Sequence, residues 1–280
     1  MATVLAMGDV ETNGKKSLRQ RAAETGISKS YLQRIYKANK IIPYKAKFIH
    51  TLQPNDEEKR LDFCLWVGEK CMDDRNFCNY IIFSDEATFT TNGVVSSQIC
   101  RYWSDVNPNF RINCKSQYSK KVNVWCAISY EKIIGPYFLD GNLNQFTYLE
   151  VLQNCLQDYL DDINLASRNK KYFQQDGCGP HSTLLIKNYL NGTFGEKWTG
   201  RFGPQQYPPR SPDLTIMDFY FWGKVKQEVY KNTFNNNLDN LKTKIREVIN
   251  SITVNEIRNS YIEFRRRVEL CCNMGGALFE

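Results

Sequence analysis

Apolar residues along this chain alternate between helical and strand spacing, and the changes of period mark its elements. Leu18, Ala22 and Ala23 predict one face of a short helix over Ser17–Glu24. Thr25-Gly26 breaks it, and Ser28 is placed to cap a second helix, Lys29–Lys37, with Leu32 and Ile35 inward. Pro43 and Pro54 mark a linker over residues 43–56. Leu61, Phe63, Cys64, Val67 and Cys71 then give an amphipathic helix over Glu57–Cys78. Strands are expected at Asn79–Phe83, Ile99–Trp103, Val122–Ser129 and Ile133–Leu139. Phe146, Leu149, Leu152, Leu156 and Leu160 return to helical spacing over Gln145–Leu160. A strand follows at Tyr172, then a helix at Ser182–Leu190, a Gly-rich segment at Asn191–Gly203 and a Pro-rich one at Tyr207–Asp213. Two last helical stretches, Leu214–Tyr230 and Leu241–Arg267, flank a polar spacer, Lys231–Asn240. Several strands followed by βα alternation predict an α/β or α+β sheet covered by helices.

Charge adds a partner class. Of 37 Lys/Arg and 30 Asp/Glu in 280 residues, the first 50 residues hold ten of the cations and three of the acids. The whole net charge of +7 therefore belongs to that end, and the rest of the chain is balanced. A helix, a Gly turn and a Ser-capped helix in a basic segment form a helix-turn-helix pattern. Its second helix offers Ser28, Lys29, Ser30, Tyr31, Gln33, Arg34 and Lys37 to double-stranded DNA. A plain structural hairpin is the alternative. Residues 1–16 lack periodicity and read as disordered. No apolar run reaches the ~18 residues of a membrane span, and the first residues lack a signal-peptide core, so a soluble intracellular protein is expected.

Ten cysteines include no C-x-x-C pair, and His50 and His181 are the only imidazoles. That spacing argues against a zinc framework and against disulfides. Cys64, Cys71 and Cys78 recur every seven residues, as small apolar side chains on one helical stripe would.

Three apolar or aromatic stretches each lead to an acid. Ile81-Ile82-Phe83-Ser84 ends on Asp85-Glu86, and Tyr172-Phe173-Gln174-Gln175 ends on Asp176 before Gly177-Cys178-Gly179-Pro180-His181. Pro208-Pro209-Arg210-Ser211-Pro212-Asp213-Leu214 leads to Asp218 and an aromatic tail. Three carboxylates with no adjacent base suit hard divalent cations, Mg²⁺ or Mn²⁺, and two such ions support phosphoryl transfer. Acids at ordinary turns are the alternative. Asp213 competes with Asp218 for the third position, but it reads as an N-cap of the helix from Leu214. His181 either contacts phosphate or water near the site or packs on Pro180.

These motifs resemble those of the Tc1/mariner-type transposases, members of the DDE/D superfamily. The likeness covers about Ser17–Phe279 and includes Phe83-Ser84-Asp85-Glu86, Gln175-Asp176-x-x-x-Pro180-His181 and Pro209-x-Ser211-Pro212-Asp213-Leu214-x-x-x-Asp218. Lys121–Ile128 and Gly135-Pro136-Tyr137-Phe138 resemble the family's central strands. The resemblance implies an RNase H-like mixed sheet flanked by helices over 57–280, after a partial helix-turn-helix over 17–42. It implies a triad of Asp85, Asp176 and Asp218 holding two Mg²⁺ or Mn²⁺ ions, with 41 residues between the second and third acids. It further implies strand cleavage and transfer at element terminal repeats and target DNA, a homodimer on DNA, and work in the nucleus. Full-length members carry two helix-turn-helix units, and only the second is recognisable here. A catalytically silent or host-adopted relic that binds DNA is the alternative function.

Overall fold

The computed structural model describes residues 18–39, 41, 51–91, 120–231, 234 and 237–279. The chain divides into two compact units, residues 1–49 and 50–280. In the first, α1 (Leu18–Thr25) and α2 (Lys29–Ala38) are joined by a turn in which Gly26 takes φ 68°. The Ser28 hydroxyl caps α2 by accepting from the Tyr31 amide at 3.3 Å. Leu32, Ile35 and Tyr36 are buried, with Leu18, Ala22, Ile27 and Ile41 packed against them. The inner face of α1 differs from expectation, because Ala23 is exposed and Arg21 is buried. The Arg21 guanidinium lies over the Tyr36 ring, so its stem serves as apolar surface.

The second unit is built on a six-stranded sheet in the order β3-β2-β1-β4-β5-β6. Its strands are β1 (Ile81–Thr90), β2 (Lys121–Ile128), β3 (Ile133–Leu139), β4 (Tyr172–Gln174), β5 (Trp198–Gly200) and β6 (Gln205–Gln206). β1 to β3 pair antiparallel, and β4, β5 and β6 add in parallel on the other side of β1. α3 (Asp56–Asp73) precedes the sheet. α4 (Gln145–Val151) passes through a π turn (Leu152–Leu156) into α5 (Gln157–Asp162), followed by α6 (Leu165–Arg168). α7 (Leu184–Phe194) joins β4 to β5, and α8 (Trp222–Val229), α9 (Leu238–Ser251) and α10 (Val254–Asn273) complete the unit.

Strand alternation sends side chains into two cores. Ile81, Phe83, Ala87 and Phe89 face a cluster with Phe63 and Val67 of α3, Val225 of α8, Ile245 of α9 and Phe264 of α10. Ile82, Trp125 and Ala127 face the other, with Tyr148, Val151 and Leu160 and with Ile186 and Leu190 of α7. No helix among the described residues is long and apolar enough to cross a membrane.

Several boundaries depart from the sequence expectation. β1 continues beyond Phe83 because Ala87 and Phe89 keep the alternation and Phe83–Thr90 pairs residue by residue with Ile128–Lys121. The strand expected at Ile99–Trp103 lies outside the described residues. β5 sits in the stretch read as a Gly-rich loop. At Gly200 an added Cβ would lie 3.1 Å from the Gln175 side chain and 3.2 Å from Trp198, so this glycine marks close packing rather than a turn. The helical run from Leu241 is two helices, parted where Thr253 and Glu256 form a capping box. Cys71 closes α3's share of the cysteine stripe, while Cys78 lies in a separate 3₁₀ turn, Phe77–Tyr80, with the two sulfurs 3.4 Å apart.

The largest difference concerns Asp213. No helix starts at Leu214. Pro212–Leu214 is a 3₁₀ turn, Thr215 is extended, and a π turn (Met217–Phe221) then leads into α8. Asp213 caps nothing: it is buried and receives both terminal nitrogens of Arg60 from α3, at 2.7 and 2.5 Å. Arg60 Nε also donates to the Gly276 carbonyl at 2.7 Å. Gly276 has φ 87°, and a Cβ there would collide with the Glu57 carbonyl, so only glycine lets the C-terminal turn reach α3. Beside this pair Asp56 receives Arg210, both hydrogen bonds at 2.5 Å.

Removing one partner of a buried ion pair strands the other. Arg60→Ala is expected to cost about 3–5 kcal/mol in urea unfolding, against less than about 1 kcal/mol for Lys132→Ala in the exposed Lys132–Asp162 pair. Equal losses for the two variants would refute this ranking.

Candidate active site

Asp85 and Glu86 are neighbours in β1, so their side chains leave on opposite faces of the sheet. Asp85 shares the face of Phe83 and Ala87 and meets α8, where Trp222 Nε1 donates to its Oδ2 at 2.9 Å. Glu86 shares the face of Ile82, where its Oε1 lies 3.2 Å from His181 Nε2.

Asp176 follows β4 by two residues. Its Oδ1 accepts from the Cys178 amide at 3.0 Å, an Asx-type turn, and lies 2.6 Å from His181 Nδ1. His181 therefore bridges Asp176 and Glu86. It is buried, and its ring lies 3.9 Å from that of Tyr148. Gln175 fixes the same loop: its Nε2 donates to the His181 carbonyl at 3.0 Å and its Oε1 accepts from the Tyr148 hydroxyl at 2.9 Å.

Asp218 stands in the first turn of the helical run that ends as α8. The run starts at Thr215, whose hydroxyl accepts from the Met217 amide at 3.3 Å and whose carbonyl accepts from the amides of Asp218 and Phe219. Asp85, Asp176 and Asp218 line one cleft of about 340 Å³, together with Ser84, Cys178 and Tyr207–Pro212. Asp213 is absent from its lining. Arg210, the one basic residue among the described residues lining the cleft, is engaged by Asp56.

The electrostatics separate the acids. Burial, and then the charges of Asp218, Glu86 and Asp176, push Asp85 well above the usual carboxylate range. Burial also acts to raise Asp176, but the hydrogen bond and charge of His181 and the Cys178 amide outweigh it and hold Asp176 below its ordinary value. Burial opposes charge on His181, yet Tyr148, Glu86 and Asp176 around it raise it well above an ordinary imidazole. The two carboxylates thus favour the imidazolium form of His181.

The seven residues assigned to DNA contact, Ser28, Lys29, Ser30, Tyr31, Gln33, Arg34 and Lys37, are all exposed on α2 or at its cap. They belong to the first unit. Sequence reasoning misses Glu86, Tyr148 and Trp222 as site groups. For Glu86 the adjacent acid pair is the available signal, since neighbours on a strand must serve opposite faces.

The mixed sheet with helices on both faces is an RNase H-like fold. It is the fold of the catalytic domain of Mos1 mariner transposase, whose crystal structure matches at TM-score 0.64 with 17% identity, over 84% of this chain and all of that one. A Mos1 transposase paired-end complex with left transposon end matches at TM-score 0.77 with 16% identity, covering 99% of this chain and 80% of that one. A mariner Mos1 paired end complex with Mg matches at TM-score 0.77 and 16% identity, over 98% and 79%. At such identities the likeness is one of fold. No family model and no curated protein matches the chain.

Because Asp85 is pushed above its unfolded value, its ionised form weakens the metal-free fold, and stability falls as pH rises through that interval. Asp85→Asn keeps an acceptor for Trp222 and removes the charge. It should stabilise the protein in EDTA at pH 7, read as a higher melting temperature. A lower melting temperature would show that the charge is already compensated.

Proposed function

We propose that this chain is a mariner-type DNA transposase with an all-aspartate triad, acting on double-stranded DNA as a dimer in the nucleus. The observation that carries this reading is the convergence of Asp85, Asp176 and Asp218 on one cleft of an RNase H-like fold. They come from the middle of a strand, the end of its parallel neighbour and a helical turn that begins about 40 residues further on.

The donor set fits hard cations. It offers carboxylate oxygens, and burial of Asp85 against three further acids leaves a negative concentration that a divalent ion would offset. Asp85, Asp176 and Asp218 would hold two Mg²⁺ or Mn²⁺ ions. When bound, such ions supply Lewis-acid activation of the attacking oxygen and charge stabilisation at the scissile phosphate.

The chain's own groups hold that set in place. Trp222 orients one oxygen of Asp85, and His181 and the Cys178 amide fix Oδ1 of Asp176. Thr215 sets where the helical run begins and so the height of Asp218. The wall from Tyr207 to Pro212 bounds the cleft, and Arg210 in it is bound to Asp56.

DNA strand cleavage should require Mg²⁺ or Mn²⁺ and vanish in Asp176→Asn, with folding retained by circular dichroism. Cleavage persisting in EDTA would overturn the reading. The basic first 50 residues, with the exposed α2 residues Ser28, Lys29, Ser30, Tyr31, Gln33, Arg34 and Lys37, support a DNA-gripping role for that unit. Deleting those residues should weaken DNA binding and flatten the slope of log affinity against log salt, by about 0.9 for each phosphate no longer neutralised. An unchanged slope would place the grip in the second unit.

A further inference from the structure

Cys178 has no part in the triad, and its position in the loop is set by other groups. The Asx-type turn from Asp176 places it beside both that carboxylate and the His181 ring. One ligand atom from each of Asp176, Cys178 and His181 lies within 4.8 Å of the others. Carboxylate, thiolate and imidazole together are a borderline-soft donor set, unlike the all-oxygen set that suits magnesium.

We propose that Asp176, Cys178 and His181 form a binding site for Zn²⁺. The site stands on its own donors and does not depend on the transposase reading. Two features beyond proximity support it. First, the His181 ring is already oriented as metal-bound histidines are: Nε2 faces the Glu86 carboxylate at 3.2 Å, which leaves Nδ1 directed at Asp176. A carboxylate behind the imidazole fixes the tautomer and strengthens the nitrogen as a ligand. Second, the loop faces the cleft through Asp176 and Cys178, both part-exposed, so an ion and its water can reach it.

Donors on one tetrahedral zinc stand about 3.3–3.6 Å apart, given bonds of about 2.0–2.3 Å. A shift of about 1 Å in the Cys178 and Asp176 side chains would reach that from the present separations. Three protein ligands and a water then complete the shell. The short Nδ1–Oδ1 hydrogen bond is replaced by two coordinate bonds, and the imidazolium and thiol protons pass to solvent.

Co²⁺ is the probe, since a cobalt–thiolate bond has its own charge-transfer absorption and needs no DNA or turnover to read. The metal-free full chain should show this band on Co²⁺ titration, saturating near one equivalent and abolished by added Zn²⁺. Cys178→Ala should lose the band and bind Zn²⁺ at least ~100-fold more weakly, beyond the loss typical of a residue that only orients a ligand. Because other thiols lie close together, as Cys71 and Cys78 do, the Cys71→Ala/Cys78→Ala double variant should keep it. Asp218→Asn should also keep it while losing Mg²⁺-dependent cleavage, which distinguishes the two donor sets although Asp176 is common to both. A band surviving in Cys178→Ala, or abolished in Asp218→Asn, would overturn the proposal, as would a chain that gives no band at all.

Discussion

The buried pair of Arg60 and Asp213 is the constraint on which the cleft depends. It joins three segments far apart in sequence: α3, the turn after the Pro-rich stretch, and the carbonyl of Gly276 near the C-terminal end. A hydrophobic contact of equal area would hold these segments about as strongly but would not fix their angle. The guanidinium fork does, because both of its outer nitrogens must meet both carboxylate oxygens in one plane. One turn earlier on α3, Asp56 grips Arg210 in the same bidentate way. Together the pairs fasten the cleft wall from Tyr207 to Pro212 to a helix whose apolar face is sunk in the core. Asp218 stands five residues beyond this anchored point, so its position is inherited from it.

The sheet supplies the second half of the site by alternation alone. Placing two acids side by side in β1 sends one to each face, and each face gives its acid a different companion. Trp222 offers Asp85 a neutral donor, whereas His181 offers Glu86 a positive one. The surrounding strand residues, Phe83 and Phe89, are fully buried in the core with α3, α8 and α10. That packing holds a strand which would otherwise be weakened by a buried carboxylate. Stability is thus stored around the site and spent inside it, a common arrangement for functional clefts.

How much of this is legible in the chain follows from the range of each interaction. β2 and β3 fall within a residue of their expected bounds, since their alternation is local, and the acids that end apolar runs are legible for the same reason. Sequence also poses the competition between Asp213 and Asp218, but not the reason that separates them. A cap is a local inference, and the true partner of Asp213 lies 153 positions away. The Glu86–His181 contact spans 95 positions and leaves no periodic trace. β5 is hidden for another reason: Gly200 looks like a breaker, yet it is there because Gln175 and Trp198 leave no room for a side chain. Arg21 shows the same limit at short range, where a long stem takes an inner place that composition assigns to alanine.

The three acids of the cleft end in three electrostatic settings, and the settings follow from the elements that carry them. Asp176 lies in a turn, where backbone and histidine donors are at hand, and it is held charged. Asp218 lies in the first turn of a helical run, the end at which aligned peptide dipoles favour negative charge. Asp85 lies in the interior of a strand, which has no such end to offer, and the neighbouring Glu86 amide only partly offsets its burial. Its one side-chain donor among the described residues is Trp222, while burial and three neighbouring acids oppose its charge. Asp85 is therefore the acid for which the fold provides least, and the one that gains most from an external cation. A cleft assembled this way is complete in geometry but not in charge, and it selects for whatever positive partner can enter and satisfy the strand-borne acid.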